Sequence, residues 1–396
     1  MTLREGSIIG VITGALALIG ATALTVWLLS DPTRAFTEHL PGRDGRAAAI
    51  SNAPTVVIGQ YFTPGTGTPP RGFSGHWPRF RGAHFDNILT DTVALADAWG
   101  PQGPPVLWSL DLGEGHAAPA IDAGRVYVLD YDETNRADAL RCLSLADGSE
   151  LWRRWYKVNL KRNHGMSRTV PAISGNYVVT IGPNCHVMCV DADSGALRWS
   201  IDMVKDYGSK VPGWYTGQCP LIDDGLAILA PAGSNVLMMA VDCASGAVVW
   251  QTPNPRGWQM SHSSIMPWTL AGVTMYVYCA VGGLAGIAAS GPDRGRILWE
   301  TSEWNHNVVA PSPVCMPDGR LLITAGYSGG SMLFRVSLSN GVFTIAKLHA
   351  YRPNEGIASE QQTPIFYQNR LFAVLPKDAG PHRNEFVCCD PSDCSS

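Results

Sequence analysis

Apolar and polar residues alternate in short runs from about residue 116 to the end of the chain. Six of these runs begin at a proline, form one short apolar stretch, pass through a turn rich in Asp, Gly or Asn, and continue into a second stretch. A period of two predicts antiparallel strands joined as β-hairpins. The six prolines are Pro119, Pro171, Pro220, Pro267, Pro313 and Pro364.

A second marker follows the hairpins in phase. "AVDCASGAVVW", Ala240 to Trp250, has a small residue, a Gly six positions later and a Trp four positions after that, and three other segments share this spacing. Their small residues are Cys142, Cys189 and Ala289. The positions predicted to pack one repeat on the next are Gly148, Trp152, Gly195, Trp199, Gly246, Trp250, Gly295 and Trp299.

The repeat length indicates the architecture. Spacings of 44, 47, 51 and 49 residues separate Trp108, Trp152, Trp199, Trp250 and Trp299. Each spacing is long enough for four short strands. This is the period of a β-propeller blade. A single blade cannot bury both of its faces, so neighbouring blades must cover each other. We therefore predict an all-β fold, a β-propeller of four-stranded antiparallel blades.

The N-terminus predicts a different element. Ile8 to Leu29 is 22 residues without a charge, which is long enough to cross a bilayer. We interpret residues 1–30 as an uncleaved signal anchor in the inner membrane, with the propeller on the periplasmic or other extracytoplasmic side; a cleaved signal peptide is the alternative. Residues 31–75, rich in Pro and Gly, are predicted to be a flexible linker, and residues 76–396 the propeller.

Composition excludes one class of partner. Charged residues make up 16% of the chain and the net charge is −4, which does not suit a surface that contacts phosphates. No nucleic acid is therefore expected. Cysteine spacing gives no metal-site motif, and we predict no metal ligands.

The repeat resembles a known family. Ala240, Asp242, Ser245, Gly246 and Trp250 match A-x-D-x-x-[ST]-G-x-x-x-W, the tryptophan-docking motif of quinoprotein-type, or PQQ-like, β-propellers. "WPRFRG", residues 77–82, resembles the first segment of a bacterial exported group of these repeat proteins. The resemblance extends from there to the end of the chain and includes the propeller subunit of the outer-membrane β-barrel assembly machinery.

The resemblance implies a ring of seven or eight blades. Five units are complete in this chain, although the fifth has no Trp, and the sixth stops within a turn. "PPVLWSLDLG", residues 104–113, resembles an outer strand that would close such a ring. We therefore expect the chain to be truncated at its C-terminus.

The loops that precede each repeat proline are expected to gather at one end of the central channel; we call them the funnel loops. Converging polar loops on a rigid scaffold are a common place for a site. Alternatively, their polar residues only satisfy loop backbone around a solvated channel. The candidate ligand-binding residues are His116, His164, Arg168, Tyr215, Gln218, Trp258, His262, His306, Asn307, Glu360 and Gln361.

Two functions are compatible with these residues. A noncatalytic scaffold would bind an exported protein or a ligand at the funnel loops, with no catalytic residues and no cofactor. The alternative is a PQQ-dependent dehydrogenase acting on alcohols or sugars, which needs Ca²⁺ on oxygen ligands. Glu360 is the one clear carboxylate of the funnel loops, and Cys388-Cys389 is predicted to lie in a strand, so the sequence favours the scaffold.

Overall fold

The computed structural model describes residues 3–30, 56–73, 75–90, 94 and 96–393. The chain divides into two compact units, Met1–Thr55 and Val56–Ser396. The first contains helix α1, Leu3–Leu29, whose segment Gly10–Leu29 is long and apolar enough to cross a membrane. An N-terminal signal sequence has the same properties, so the helix is compatible with either prediction. Residues 31–55 of the predicted linker lie outside the described residues.

The second unit is built from β-strands. The first three groups are β1 (Tyr61–Pro64) with β2 (Ala120–Asp122), β3 (Arg125–Asp132), β4 (Ala137–Ser144) and β5 (Glu150–Lys157); β6 (Ala172–Ser174), β7 (Tyr177–Ile181), β8 (His186–Asp191) and β9 (Leu197–Asp202); and β10 (Leu221–Asp223), β11 (Leu226–Leu229), β12 (Val236–Asp242) and β13 (Val248–Pro253). The others are β14 (Met266–Leu270), β15 (Val273–Ala280), β16 (Gly283–Ala288) and β17 (Ile297–Thr301); β18 (Val314–Cys315), β19 (Arg320–Ala325), β20 (Gly330–Ser339) and β21 (Val342–Tyr351); and β22 (Ile365–Tyr367), β23 (Arg370–Val374) and β24 (Phe386–Cys389). Helix α2 (Met203–Tyr207) follows β9, and a 3-10 helix spans Gly380–His382.

Each group is one antiparallel sheet whose strands pair in chain order, except that β1 pairs with β5 at the outer edge of the first sheet. Strands β2–β5 form the predicted unit within residues 116–158, and the next four sheets in the chain also have four strands. The sixth sheet has three strands in the described part of the chain. The all-β prediction and the four-stranded blades are confirmed. The apolar core lies mainly between facing blades, because each blade covers one face of the next.

The folded unit begins earlier than the sequence predicted. Strand β1 pairs antiparallel with β5, with Tyr61 opposite Trp155 and Pro64 opposite Trp152. The Tyr61 ring stacks on Trp155 at 4.3 Å between centroids. Residues 61–64, which the sequence placed in the flexible linker, are therefore a fifth strand of the first blade. Pro64 is compatible with this position because an edge strand needs fewer backbone donors.

The Gly and Trp of the repeat meet across blade interfaces. A Cβ on Gly246 would lie 2.8 Å from the Trp199 side chain of the preceding blade. Gly195 has the same relation to Trp152 of the preceding blade, at 2.6 Å. The turn needs Gly because φ is positive there and because the indole occupies the space of a side chain. The same contact joins Gly148 to Trp108 and Gly295 to Trp250.

The fourth blade departs from the predicted spacing. Trp152, Trp199 and Trp250 pair across the sheet with Cys142, Cys189 and Ala240, as the motif predicts. Trp299 instead pairs with Gly286, so Ala289, the small residue of the repeat spacing in this blade, does not lie opposite the Trp. Strand β16 ends at Ala288, and a longer turn takes up residues 289–296. A small residue is still required, since a Cβ on Gly286 would lie 2.3 Å from the Trp299 indole.

One further sequence prediction concerns the segment before the first hairpin. Residues 104–113 form no strand, so the predicted outer strand is wrong. Trp108 within them still lies on Gly148 and donates its indole N–H to the Leu145 carbonyl oxygen at 2.9 Å. A strand requires a neighbour to pair with, and the described residues place none beside this segment.

Candidate functional site

The funnel loops surround a cavity of about 730 Å³, here called the funnel cavity. Six loops lead into the innermost strands β2, β6, β10, β14, β18 and β22. Five of these loops contribute polar or aromatic side chains to the cavity, and the loop between the fourth and fifth blades contributes apolar ones. The cavity is lined by Trp77, Phe80, Arg81, Asn87, His116, Ala118, His164, Arg168, Val170, Trp214, Gly217, Cys219, His262, Ser264, Val308, Ala310, Tyr327, Glu360, Gln361, Gln362 and Thr363.

The structure brings six of the predicted residues together at this cavity. They come from four different loops, so their proximity depends on the ring and not on local sequence. They are His116, His164, Arg168, His262, Glu360 and Gln361.

Five predicted residues lie elsewhere. Gln218 is fully buried, donates to Tyr278 Oη at 3.0 Å and pairs with both backbone groups of Ala230. Trp258 is buried against the backbone of residues 282–283. Both side chains are buried and neither lines the cavity, so the structure does not bring them to the other candidates, and ligand binding by them stays a prediction. Tyr215, His306 and Asn307 also do not line the cavity.

Those three residues have local roles or open surroundings. The Tyr215 hydroxyl donates to the Lys161 carbonyl oxygen of the neighbouring loop. The His306 ring packs against Trp304 at 4.3 Å between centroids. Asn307 is exposed outside the cavity. Of these three residues, Tyr215 joins two neighbouring funnel loops, and none of them forms the wall of the cavity.

A segment between β1 and β2 forms one side of the cavity, and the sequence analysis did not predict this position. We call residues 77–87 the plug segment. Trp77 pairs with Ile121 of β2, and the Pro78 carbonyl oxygen accepts from the Ile173 backbone N–H of β6. Arg79 donates to the Ile222 carbonyl oxygen of β10 at 3.2 Å. The plug segment therefore bonds to the inner strands of three blades.

Arg81 extends the plug segment to the sixth blade. Its guanidinium donates to the carbonyl oxygens of Thr363 at 3.2 Å, Pro364 at 3.3 Å and Phe85 at 2.7 Å. Burial lowers the pKa of Arg81 to about 10, so it remains charged at neutral pH. The sequence signal for this segment was its two arginines, Arg79 and Arg81, which lie outside any predicted strand. Charges buried there need partners from distant blades.

The rim of the cavity carries aromatic residues in a strained backbone. Trp214 has φ 63°, Tyr327 has φ 55° and Ser328 has φ 64°. The Trp214 and Tyr327 rings stack at 5.7 Å between centroids, although they belong to the second and fifth blades' loops. A bulky residue at positive φ costs on the order of 1–3 kcal/mol. Strain of this kind is typical of sites where side-chain placement matters more than stability.

Arg168 is a charge without a carboxylate partner among the described residues. Its Nη2 donates to the carbonyl oxygens of His164 and Asn163, and its buried Nε has no partner. Burial lowers its pKa slightly below the usual value, and the group stays protonated. Burial, and then the neighbouring Arg168, lowers the pKa of His262 to about 4, so His262 is neutral at pH 7.

The charge of Glu360, another lining residue, is balanced by a neighbouring cation. Glu360 accepts an ion pair from Lys377 at 3.3 Å, and the Lys377 ammonium lies 5.5 Å from the Tyr327 ring centroid. Glu360 is the one carboxylate among the described residues that line the cavity. The Arg168 guanidinium is therefore the lining charge that no carboxylate among the described residues offsets, since Asp86 acts on Arg81, and the cavity favours an anion.

The donor set does not fit the Ca²⁺ of a quinone enzyme. In the described residues no group of three or more His, Cys, Asp or Glu side chains could hold a metal ion. Glu360, the one lining carboxylate, is already paired, whereas Ca²⁺ takes six to eight oxygen ligands. Cys388 and Cys389 lie in β24, and neither lines the cavity. This agrees with the predicted strand position for the cysteine pair.

Comparison with known proteins gives one family and several relatives. The family of PQQ-like repeats described as outer membrane protein assembly factor BamB matches residues 135–329. The BamB of Moranella endobia (strain PCIT) is 22% identical over 318 residues, which cover 70% of this chain and 76% of that protein.

Solved structures give similar neighbours. BamB from Moraxella catarrhalis superposes with a TM-score of 0.45 at 15% identity, covering 67% of this chain and 71% of that one. Quinohemoprotein alcohol dehydrogenase from Comamonas testosteroni has a TM-score of 0.39 at 11% identity, covering 71% and 58%. The family match spans the second, third and fourth blades, the strands β4 and β5 of the first blade, and the strands β18 and β19 of the fifth. With its antiparallel blades and Trp–Gly contacts, the chain resembles the PQQ-like β-propeller proteins that are described as BamB.

Proposed function

We propose that this protein is a noncatalytic scaffold that binds an exported partner protein in the funnel cavity. Helix α1 would tether it to the inner membrane, with the propeller in the periplasm or another extracytoplasmic space. The match to a family described as an outer membrane assembly factor supports both the scaffold role and this placement. The partner would belong to the assembly of exported proteins.

The observation that carries the proposal is the state of Arg168. A desolvated guanidinium with an unpartnered Nε is unfavourable by itself, and a carboxylate from a partner would satisfy it. The stacked rings of Trp214 and Tyr327 provide a flat apolar surface on the same cavity. Arginine and aromatic residues in a partly desolvated depression are typical of the residues that dominate protein interfaces.

Photo-crosslinking in cells tests the proposal. A photoreactive phenylalanine replaces Gln361, which lines the cavity and is exposed, in the full-length protein. We expect a specific protein adduct that becomes about tenfold weaker with Arg168→Gln, the loss of one charge-assisted hydrogen bond. The matched control is Arg162→Gln, which removes an exposed arginine of the same loop.

A second crosslinking position completes the design. Val249 on the outer strand β13 is exposed and distant from the funnel loops in the blade. Adducts from residue 361 that are absent from residue 249 support binding at the cavity. Adducts that are equal at both positions, or unaffected by Arg168→Gln, contradict it.

The dehydrogenase is tested separately. Purified full-length protein is incubated with PQQ and Ca²⁺ and assayed for dye-linked oxidation of alcohols and sugars. We expect no turnover, because the lining carboxylate Glu360 is paired with Lys377. Stoichiometric quinone binding with turnover that is lost in Glu360→Gln would replace the scaffold with the enzyme.

Membrane placement has its own measurement. Alkaline carbonate extraction should leave the protein in the membrane fraction, and protease added to spheroplasts should digest the propeller. Release into the soluble fraction would mean that α1 is cleaved. Protection from protease would mean that the propeller faces the cytoplasm.

A further inference from the structure

Two buried thiols meet at the interface between the second and third blades. Cys189 lies on β8, and Cys243 directly follows β12. The Cys189 Sγ atom is 3.5 Å from the Cys243 carbonyl oxygen, and both residues have 0% exposure within one core cluster. The Cys189 side chain also lowers the pKa of the Cys243 thiol, as expected for neighbouring side chains. Trp199 covers this point, donating its indole N–H to the same carbonyl oxygen at 3.0 Å.

The repeat makes this pair distinctive. Cys189 occupies the small-residue position of the second blade, and Cys243 lies three residues after that position in the third blade. At the preceding interface the equivalent residues are Cys142 and Ala192, where the Tyr127 hydroxyl donates to the Ala192 carbonyl oxygen. The same two motif positions thus hold a cysteine pair at one interface and a Cys–Ala pair at the one before it.

We propose that Cys189 and Cys243 form a disulfide that links the second and third blades. The inference goes beyond partner binding and does not depend on it. The oxidant is an external disulfide, such as oxidised glutathione or an exported thiol–disulfide oxidant. Two protein thiols become one disulfide, and two electrons and two protons pass to the external disulfide, which becomes two thiols.

The exchange takes two steps. The thiolate of one cysteine attacks the external disulfide and releases one thiolate. The thiolate of the other cysteine then attacks the mixed disulfide and releases the second. Because both residues are buried, the exchange takes place before the two blades close or when they open briefly.

The consequence is a covalent link across an interface that otherwise depends on packing. The bond would close a loop spanning 54 residues, which restricts the unfolded chain. It would lie beneath Trp199, at the interface where the Trp–Gly contact and the indole hydrogen bond are both formed. Blades two and three would then unfold as one unit.

Peptide mapping tests the bond. Full-length protein in detergent is incubated with oxidised glutathione at a urea concentration below the unfolding transition, denatured with N-ethylmaleimide, and digested with trypsin and Asp-N protease. We expect a peptide of residues 169–190 joined to residues 242–256, with fragmentation locating the bond at Cys189. Recovery of both cysteines as alkylated thiols, or of either one joined to another cysteine, overturns the proposal.

Two alanine variants test the pair with residues that the fold already accepts at the same positions of other blades. Cys189→Ala and Cys243→Ala each introduce the residue found at the same motif position in another blade, Ala240 or Ala192. Reduction should lower the Tm of the oxidised wild type by roughly 5 °C and leave both variants unchanged. Cys142→Ala is the matched control and should retain the shift. Loss of the shift in Cys142→Ala, or its retention in Cys189→Ala, contradicts the assigned pair.

Discussion

At the interface between the second and third blades, Trp199 lies on Gly246 and its indole N–H has an acceptor. In the funnel cavity, Trp214 has a positive φ and stacks on a residue from another blade, and Arg168 leaves Nε without a partner. The Trp–Gly contact of the first region recurs at several blade interfaces along the chain. The second region uses a different residue in each repeat and leaves a charged side chain incompletely hydrogen-bonded.

This difference separates stability from function. Blade interfaces bury apolar surface and fill the space above a turn, which stabilises the fold. The funnel cavity holds strained backbone and a desolvated charge, and both reduce stability unless a ligand compensates for them. We therefore expect substitutions at the interfaces to change the free energy of unfolding, and those in the cavity to change binding.

The largest effect is expected at the Trp–Gly contact. Gly246→Ala adds a Cβ 2.8 Å from the Trp199 side chain at φ 76°, so the indole must move. We predict a loss of about 3–4 kcal/mol in the free energy of unfolding, from overpacking and backbone strain together. Gly341→Ala is the matched control: it has the same φ with open space around it, and should lose about 1 kcal/mol. Equal losses in urea unfolding would show that Trp docking adds nothing.

The next effect concerns a buried carboxyl at the first blade interface. Asp138 has 0% exposure, accepts from the Tyr156 hydroxyl at 2.7 Å, and leaves Oδ1 unpartnered. Burial raises its pKa to about 7. The folded state therefore binds more protons than the unfolded state between about pH 4 and pH 7, and stability falls as pH rises through that window.

Asp138→Asn should remove this pH dependence. The amide oxygen still accepts from Tyr156, so at pH 8 the variant should be more stable than the wild type by on the order of 2 kcal/mol. Urea unfolding at pH 5 and pH 8 measures the difference. Asp147→Asn, an exposed turn carboxylate whose pKa is lowered by Ser149, is the control and should behave as wild type above pH 5. A variant that keeps the wild-type slope would assign the pH dependence to other groups.

A smaller effect separates two tryptophans that share one position. The Trp199 indole N–H donates to Cys243, whereas the buried Trp250 Nε1 has no partner. Trp199→Phe should therefore cost about 1 kcal/mol more than Trp250→Phe, the net value of one hydrogen bond. Thermal unfolding of the two variants gives the comparison. Identical losses would mean that ring packing accounts for the whole contribution.

The smallest effect on stability is expected at Arg168. Arg168→Gln removes a partly desolvated charge that has no carboxylate partner, so the free energy of unfolding should change by less than about 0.5 kcal/mol. The same variant should weaken partner crosslinking, as proposed above. A loss of several kcal/mol would place Arg168 among the structural residues and remove the main support for the cavity as a binding site.

The periodic part of the fold was predictable from the chain alone. Antiparallel hairpins, the Gly turns and the Trp positions repeat every 44 to 51 residues, and the Trp–Gly contact recurs from Trp108 to Trp250. A repeated local pattern determines a repeated contact because each interface involves neighbouring blades only. The small partner of Trp299 was missed because the fourth blade has a longer turn, and that shift depends on strand register.

The cavity depended on the tertiary structure. Arg168, His262 and Glu360 line one cavity because the ring brings distant loops together, while Gln218 turns toward the core from the same kind of loop. Sequence position does not distinguish these two orientations, since either satisfies a polar side chain. The sequence by itself determined the blades and their tryptophan contacts. Only the folded ring decided which loop residues line the cavity, because that choice rests on packing between blades far apart in the chain.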